Sequence, residues 1–217
     1  MKFSIIVPAF NCVAHIRNCL DSILSQSYKD FEVVVIDDGS TDSTLEILKE
    51  YQEKDSRIQI HHFENSGVGL TRRRGAMLSK GDFILFVDSD DTINKDLLSS
   101  IYSFLKNCAS IPDIIRYQCN IVGDKPGKDH ERYNFLSNVE VLLLGLETLK
   151  LWSVPGKKYA VYWLFAFNRK VFNQFFTIPE MRCYEDVALI PLLIASAKSV
   201  ATIDYVGIII PTKILQV

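Results

Sequence analysis

Short apolar runs recur along the first 90 residues, each followed by a polar loop and then by a stretch with helical spacing. No other feature of this chain limits its possible folds as strongly. The runs are residues 3–7 (FSIIV), 31–36 (FEVVVI), 58–62 (IQIHH, the weakest) and 83–87 (FILFV). Largely apolar and only five or six residues long, the first, second and fourth suit strands covered on both faces, and the third a weaker strand. Between them Ile16, Cys19, Leu20, Ile23 and Leu24 fall at helical spacing, as do Leu45, Ile47, Leu48 and Tyr51. Residues 70–78 and 95–106 read as two further helices. The alternation predicts an α/β fold, a doubly wound and mostly parallel central sheet flanked by helices. In such sheets ligands bind outside the carboxyl ends of the strands. At those ends stand PAFN (8–11), DDGSTD (37–42), residues 65–74 and DSDD (88–91).

The second half is less regular. Residues 114–117 suit a strand, 123–132 an exposed polar connection, 139–151 a helix and 159–167 an aromatic-rich strand. Tyr162, Trp163, Phe165 and Phe167 in that strand read as core. An apolar helix is expected over 187–197 and a last strand over 200–203. No repeat or low-complexity linker marks a second domain, so residues 1–110 and 111–217 are two halves of one domain.

With 48% hydrophobic and 23% charged residues, the chain has the composition of a folded soluble protein rather than a disordered one. Its formal net charge is −2, and the densest basic cluster, Arg72-Arg73-Arg74, suits local anion binding rather than nucleic acid. No apolar run reaches the roughly 18 residues of a membrane span, which still allows a peripheral membrane contact. Five cysteines without a CxxC pair, and no signal peptide, predict free thiols in a reducing cytoplasm. The four histidines lack HExxH spacing, so a zinc site is not expected.

The chemistry concentrates at DSDD. On an extended backbone residues two apart share a side, so Asp88 and Asp90 can face one ligand with Asp91 at the turn. Carboxylates gathered at the end of a buried strand repel one another and call for a hard divalent cation such as Mg²⁺ or Mn²⁺. Alternatively the segment is an acidic turn in which one Asp caps the next helix. The turn after the first strand, PAFNCVAH, lacks the glycines of a dinucleotide-binding fingerprint, and no P-loop is present. A metal held by DSDD is the remaining way to grip a diphosphate.

SIIVPAFN (4–11), VVVIDDGSTDST (33–44), the NSGV…R…G segment (65–75), GDFILFVDSDD (81–91) and YED (184–186) follow one another in an order that resembles family 2 glycosyltransferases. The match is tight over residues 3–92 and looser over 160–200. These are inverting enzymes of the GT-A fold, a Rossmann-like sheet, and include bacterial capsule and O-antigen transferases. The resemblance implies a nucleotide-sugar donor, UDP-linked, and a glycan or lipid-linked acceptor. It implies that Pro8, Ala9 and Phe10, with Asp37 or Asp38, contact the base, and that Asp88 meets the ribose or sugar. Asp90, with Asp91, would hold Mn²⁺ or Mg²⁺ on the diphosphate. Arg72 would support the phosphates or the carboxylates, and Asp186 would be the general base with Glu185 in support. Residues 1–110 then form the nucleotide-sugar half and 111–217 the acceptor side. Outside this ordered set, Asp37 to Ser40 would be an ordinary turn and Glu185-Asp186 a charged helix start.

Two departures stand out. The lysine often found shortly after the tryptophan of this family is replaced by Leu164 and Phe165 after Trp163. Many members also continue well past the YED helix, so the C-terminus reads as truncated or as completed by a partner. The apolar tail VGIIIPTKILQV is expected either to pack on the core or to lie against a membrane. A cytoplasmic protein, peripheral at the inner face of the membrane, fits a lipid-linked acceptor. The rival functions are a nucleotide-sugar-binding module without turnover, dependent on a partner or inactive, and a nucleotidyltransferase. The latter wants a Gly-rich basic loop after the first strand, which PAFNCVAH is not.

Overall fold

Strand β1 (Phe3–Ala9) forms the centre of the nucleotide half, buried at every position, with β2 (Phe31–Asp37) parallel on one side and β4 (Phe83–Phe86) parallel on the other. The computed structural model describes residues 1–122, 144–153, 160–173 and 185–211. Strand β3 (Ile58–His62) adds a parallel edge to β2. Helix α1 (Ile16–Leu24) turns Ile16, Cys19, Leu20 and Ile23 inward, and α2 (Thr44–Lys54) buries Thr44, Ile47, Leu48 and Tyr51. Helix α3 (Val68–Leu78) lies unusually close to the sheet. A Cβ at Gly75 would come within 2.3 Å of Ile6 Cγ2, so glycine permits the close approach of the helix that carries Arg72, Arg73 and Arg74.

Beyond β4 the sheet changes direction. Strand β7 (Phe165–Asn168) runs antiparallel to β4, β6 (Ile114–Val122) antiparallel to β7, and β8 (Val200–Pro211) parallel to β6. The two-residue β5 (Thr92–Ile93) closes the order β3-β2-β1-β4-β7-β6-β8-β5 by pairing antiparallel with β8. Helix α4 (Leu97–Asn107) covers β8, while α5 (Gly145–Trp152) packs on α7 (Glu185–Ser196), and the short α6 (Arg169–Phe172) follows β7.

The sheet is therefore mixed α/β and mostly parallel, as expected, with three differences in its second half. The strand anticipated over 159–167 is a 3-10 turn at Tyr162–Leu164 followed by the four-residue β7. β6 and β8 are both longer than expected. Residues 206–211 of the apolar tail belong to β8, with Ile208 and Ile210 buried, so that part of the tail packs on the core. The connection expected over 123–132, residues 139–143 of the expected helix and residues 212–217 lie outside the described residues. Among the described residues no helix is long and apolar enough to cross a membrane.

Two charged residues lock the end of the sheet opposite the acidic loops. Glu32, 2% exposed, accepts from Lys2 Nζ (2.9 Å), Ser4 Oγ (2.7 Å) and the backbone N–H groups of Lys80 and Gly81. Burial pushes its carboxyl up, but the bonds from Ser4, Lys80 and Lys2 prevail and hold it below the ordinary glutamate value. Arg169 donates from Nε to Gly81 O (2.5 Å), from Nη1 to Ala76 O (3.2 Å) and from Nη2 to Ser79 Oγ (2.9 Å). It ties the second half to the loop between α3 and β4.

Candidate active site

Four loops converge at the carboxyl ends of β1, β2, β3 and β4 around an open cavity of about 310 Å³. Pro8, Ala9 and Phe10 form one wall, with Phe10 49% exposed. Asp38, Asn65 and Gly67 form a second, and Arg72 with Asp88, Ser89 and Asp90 a third.

The β2 and β3 loops are built into each other. Asp38 accepts from Ser66 N–H (3.0 Å), Ser66 Oγ (2.9 Å) and Gly67 N–H (2.9 Å), while Asn65 Nδ2 donates to the Asp38 carbonyl (3.0 Å). Arg74 reaches Ser66 Oγ at 2.7 Å and lies 3.8 Å from Asp38. Gly39 makes the close approach possible. Its φ is +77°, and a Cβ there would sit 2.9 Å from Asn65 N. Asn11, itself at φ 46°, accepts from the N–H groups of Thr41 (2.8 Å) and Asp42 (3.3 Å), and so anchors the β2 loop to β1. Asp37 stands behind this wall, fully buried, with Oδ2 2.6 Å from His62 Nδ1 and its other oxygen buried without a hydrogen-bond partner among the described residues. Of the two aspartates at the carboxyl end of β2, the fold therefore brings Asp38 to the cavity.

At β4 the acidic loop is a tight turn rather than extended backbone, and Ser89 reaches the cavity along with the aspartates on either side of it. Asp88 and Asp90 both reach the cavity, and Asp88 Oδ1 accepts from Arg72 Nη2 at 2.6 Å. Arg72 is 8% exposed, and its guanidinium carbon lies 5.0 Å from the centre of the Tyr162 ring. Asp91 is only 4% exposed and does not line the cavity; its N–H closes the turn onto the Asp88 carbonyl at 3.0 Å. Burial first, and the Asp88 charge second, raise the Asp90 carboxyl. Burial, then Asp88 and Asp90, push Asp91 up to about 9, so it keeps its proton at neutral pH unless a cation is near.

Against these carboxylates the described residues set one ion-paired guanidinium, that of Arg72. The donor set is all oxygen, crowded and short of positive charge, which fits a hard divalent cation. Among the described residues no three or more His, Cys, Asp or Glu are arranged to hold a metal. A cation carried on one or two carboxylates plus phosphate oxygens needs no such cluster.

Asp186 is half-buried in the first turn of α7, where its Oδ1 accepts from the Val187 N–H at 2.8 Å. It is not on the cavity wall. Glu185 begins the same helix, but its side chain, and Tyr184 altogether, lie outside the described residues. Sequence reasoning gave no role to Thr71 and Ser89 on the wall, to Ser66 and Arg74 beside Asp38, or to Tyr162 behind Arg72. The Asn-x-Gly before α3 was the available signal for the loop around Ser66.

The family model described as glycosyl transferase family 2 matches residues 4–176. The glycosyltransferase GlyA of Streptococcus pneumoniae is 41% identical over 120 residues, 55% of this chain and 16% of that protein. The poly(ribitol-phosphate) beta-N-acetylglucosaminyltransferase TarS of Staphylococcus aureus is 41% identical over 109 residues, 48% of this chain and 19% of its own. A crystal structure of S. aureus TarS 1–349 in complex with UDP superposes with a TM-score of 0.75 at 25% identity, over 97% of this chain and 60% of that one. The chain thus spans less than a fifth of the two curated relatives and about 60% of the solved TarS chain.

Proposed function

The chain belongs to glycosyl transferase family 2, and from that premise we propose that its cleft binds a nucleotide-diphosphate sugar, UDP-linked, whose sugar passes with inversion to a glycan or lipid-linked acceptor. The observation that carries this reading is the pair Asp88 and Asp90 with the guanidinium of Arg72, opening on a cavity whose other walls are Pro8 to Phe10 and Asp38, with Asp91 buried behind them. The solved UDP complex of TarS supports the choice of nucleotide.

In this account Pro8, Ala9 and Phe10 flank the base, and Asp38, with the buried Asp37 behind it, accepts from a ring N–H. Asp88 holds a ribose or sugar hydroxyl. Asp90, with Asp91 beneath it, holds Mn²⁺ or Mg²⁺, which neutralises charge on the diphosphate when bound. Arg72 adds a fixed positive charge to the same region. Asp186, supported by Glu185, takes the proton of the acceptor hydroxyl as its oxygen bonds the anomeric carbon and the bond to the diphosphate oxygen breaks. One base suffices because a nucleoside diphosphate leaves without an acid, unlike the paired carboxylates of glycosidases. Residues 1–110 hold the donor and 111–217 face the acceptor, with the protein peripheral to the cytoplasmic membrane face where that acceptor is lipid-linked.

Asp186 accepts from the neighbouring Val187 N–H and does not line the cavity, which favours a second reading, a binding module whose turnover needs a partner. The two separate in one assay of UDP released from UDP-sugars with Mn²⁺ and candidate acceptors. Release that Asp186→Asn lowers by about 100-fold or more supports the transferase. Donor binding without release in any acceptor mixture supports the module.

A further inference from the structure

Residues 159–167 have the pattern of one strand, yet the chain tightens into the 3-10 turn Tyr162–Leu164 before β7 begins. β7 pairs with β4 from Phe83↔Asn168 to Leu85↔Ala166. The turn therefore falls level with the carboxyl end of β4, where the acidic loop starts. An extended backbone would have continued the ladder along β4. The turn instead lays the Tyr162 ring 4.9 Å from Phe86 and 5.0 Å from the Arg72 guanidinium carbon, at 3% exposure.

Arg72 thus stands between two groups from different halves of the chain: Asp88, at 2.6 Å, and the Tyr162 ring. A guanidinium within about 6 Å of a ring is attracted by the quadrupole, more so out of water. An aromatic ring also offers a guanidinium a face to stack on, which an aliphatic side chain of similar bulk does not. We propose that Tyr162 is a positioning residue. It fixes the tilt at which the Arg72 guanidinium meets Asp88 and faces a donor diphosphate, and so lets the second half of the chain set the electrostatics of the cleft in the first. This rests on the cleft being a nucleoside diphosphate site. The interaction uses the ring and not the hydroxyl, so phenylalanine should serve in place of tyrosine.

The test is titration of UDP with Mn²⁺ present, on the whole chain, for wild type, Tyr162→Leu, Tyr162→Phe and each change in an Arg72→Gln background. Tyr162→Leu should weaken UDP about 5–30-fold, and Tyr162→Phe should restore most of the affinity. In the Arg72→Gln background Tyr162→Leu should be close to silent, because the ring acts through the guanidinium. Melting curves check folding, and Tyr162→Met carries the same expectation if Tyr162→Leu does not fold. Equal losses in both backgrounds, or a lowered Tm with UDP affinity intact, would overturn the positioning role alone. Wild type that binds neither UDP nor GDP would overturn the donor-site reading and this proposal with it.

Discussion

Replacing Arg72 by glutamine keeps most of the stem and removes the charge that faces Asp88. The pair is 2.6 Å apart, with side chains 10% and 28% exposed. Exposed pairs contribute about 0–1 kcal/mol, whereas breaking a buried one costs about 3–5 kcal/mol. Asp88 keeps a quarter of its surface in water and can turn toward it, so the cost lies between these limits, at about 2 kcal/mol. For a chain of this size that corresponds to a fall in Tm of about 4–8 °C. Thermal unfolding followed by circular dichroism in metal-free buffer reads it. The damage should be that of a stranded carboxylate, so adding Asp88→Asn to Arg72→Gln should cost little more, or recover part of the loss. A Tm within about 1 °C of wild type would refute the ion pair as an organising contact. Strictly additive losses would refute the stranded-charge account.

Other substitutions separate scaffold from site. Gly39→Ala puts a Cβ 2.9 Å from Asn65 N at φ +77°; it should cost about 1–2 kcal/mol in urea unfolding and weaken nucleotide binding through the loop that Asp38 holds. Arg169→Ala removes four side-chain hydrogen bonds, to Gly81 O, Ala76 O, Ser4 Oγ and Ser79 Oγ, at the opposite end of the sheet. It should lower stability by about 2–3 kcal/mol while the folded protein binds nucleotide as before, which chemical denaturation and titration measure separately. Glu32 is held below the ordinary glutamate value, so its stabilisation is complete above the unfolded value of 4.5 and is lost as pH falls through the folded one. Wild type should therefore lose more stability than Glu32→Gln between about pH 5 and 3 in parallel unfolding curves.

The runs at residues 3–7, 31–36 and 83–87 were legible as strands because burial on both faces leaves a continuous apolar signature. The run at 58–62 reads weakly for a physical reason: β3 is an edge strand, and only Ile58 is fully buried. In the second half the signal was interrupted. β5 has two residues, too few for any period, and β8 passes through Gly207, where a Cβ would meet Leu97 Cδ1 at 2.5 Å and Tyr117 Cδ2 at 2.7 Å. An aromatic run cannot reveal that three of its residues leave the strand to form a turn. The same limit holds at the cleft. Alternation along an extended backbone put Asp88 and Asp90 on one side; both reach the cavity, but through a turn that brings Ser89 there as well. It could not choose between Asp37 and Asp38 at a loop, nor show that Asp91 lies beneath the wall; those depend on contacts with His62 and on burial.

The central claim is a metal-assisted nucleotide site at the carboxyl end of β4, and calorimetric titration of UDP tests it most directly. Titrations with and without Mn²⁺, GDP in parallel, and Asp90→Asn as the control complete the measurement. The account predicts UDP binding that strengthens at least tenfold or so with Mn²⁺ and loses that gain in Asp90→Asn. Binding that ignores Mn²⁺ in both proteins, or no binding of either nucleotide, would contradict it.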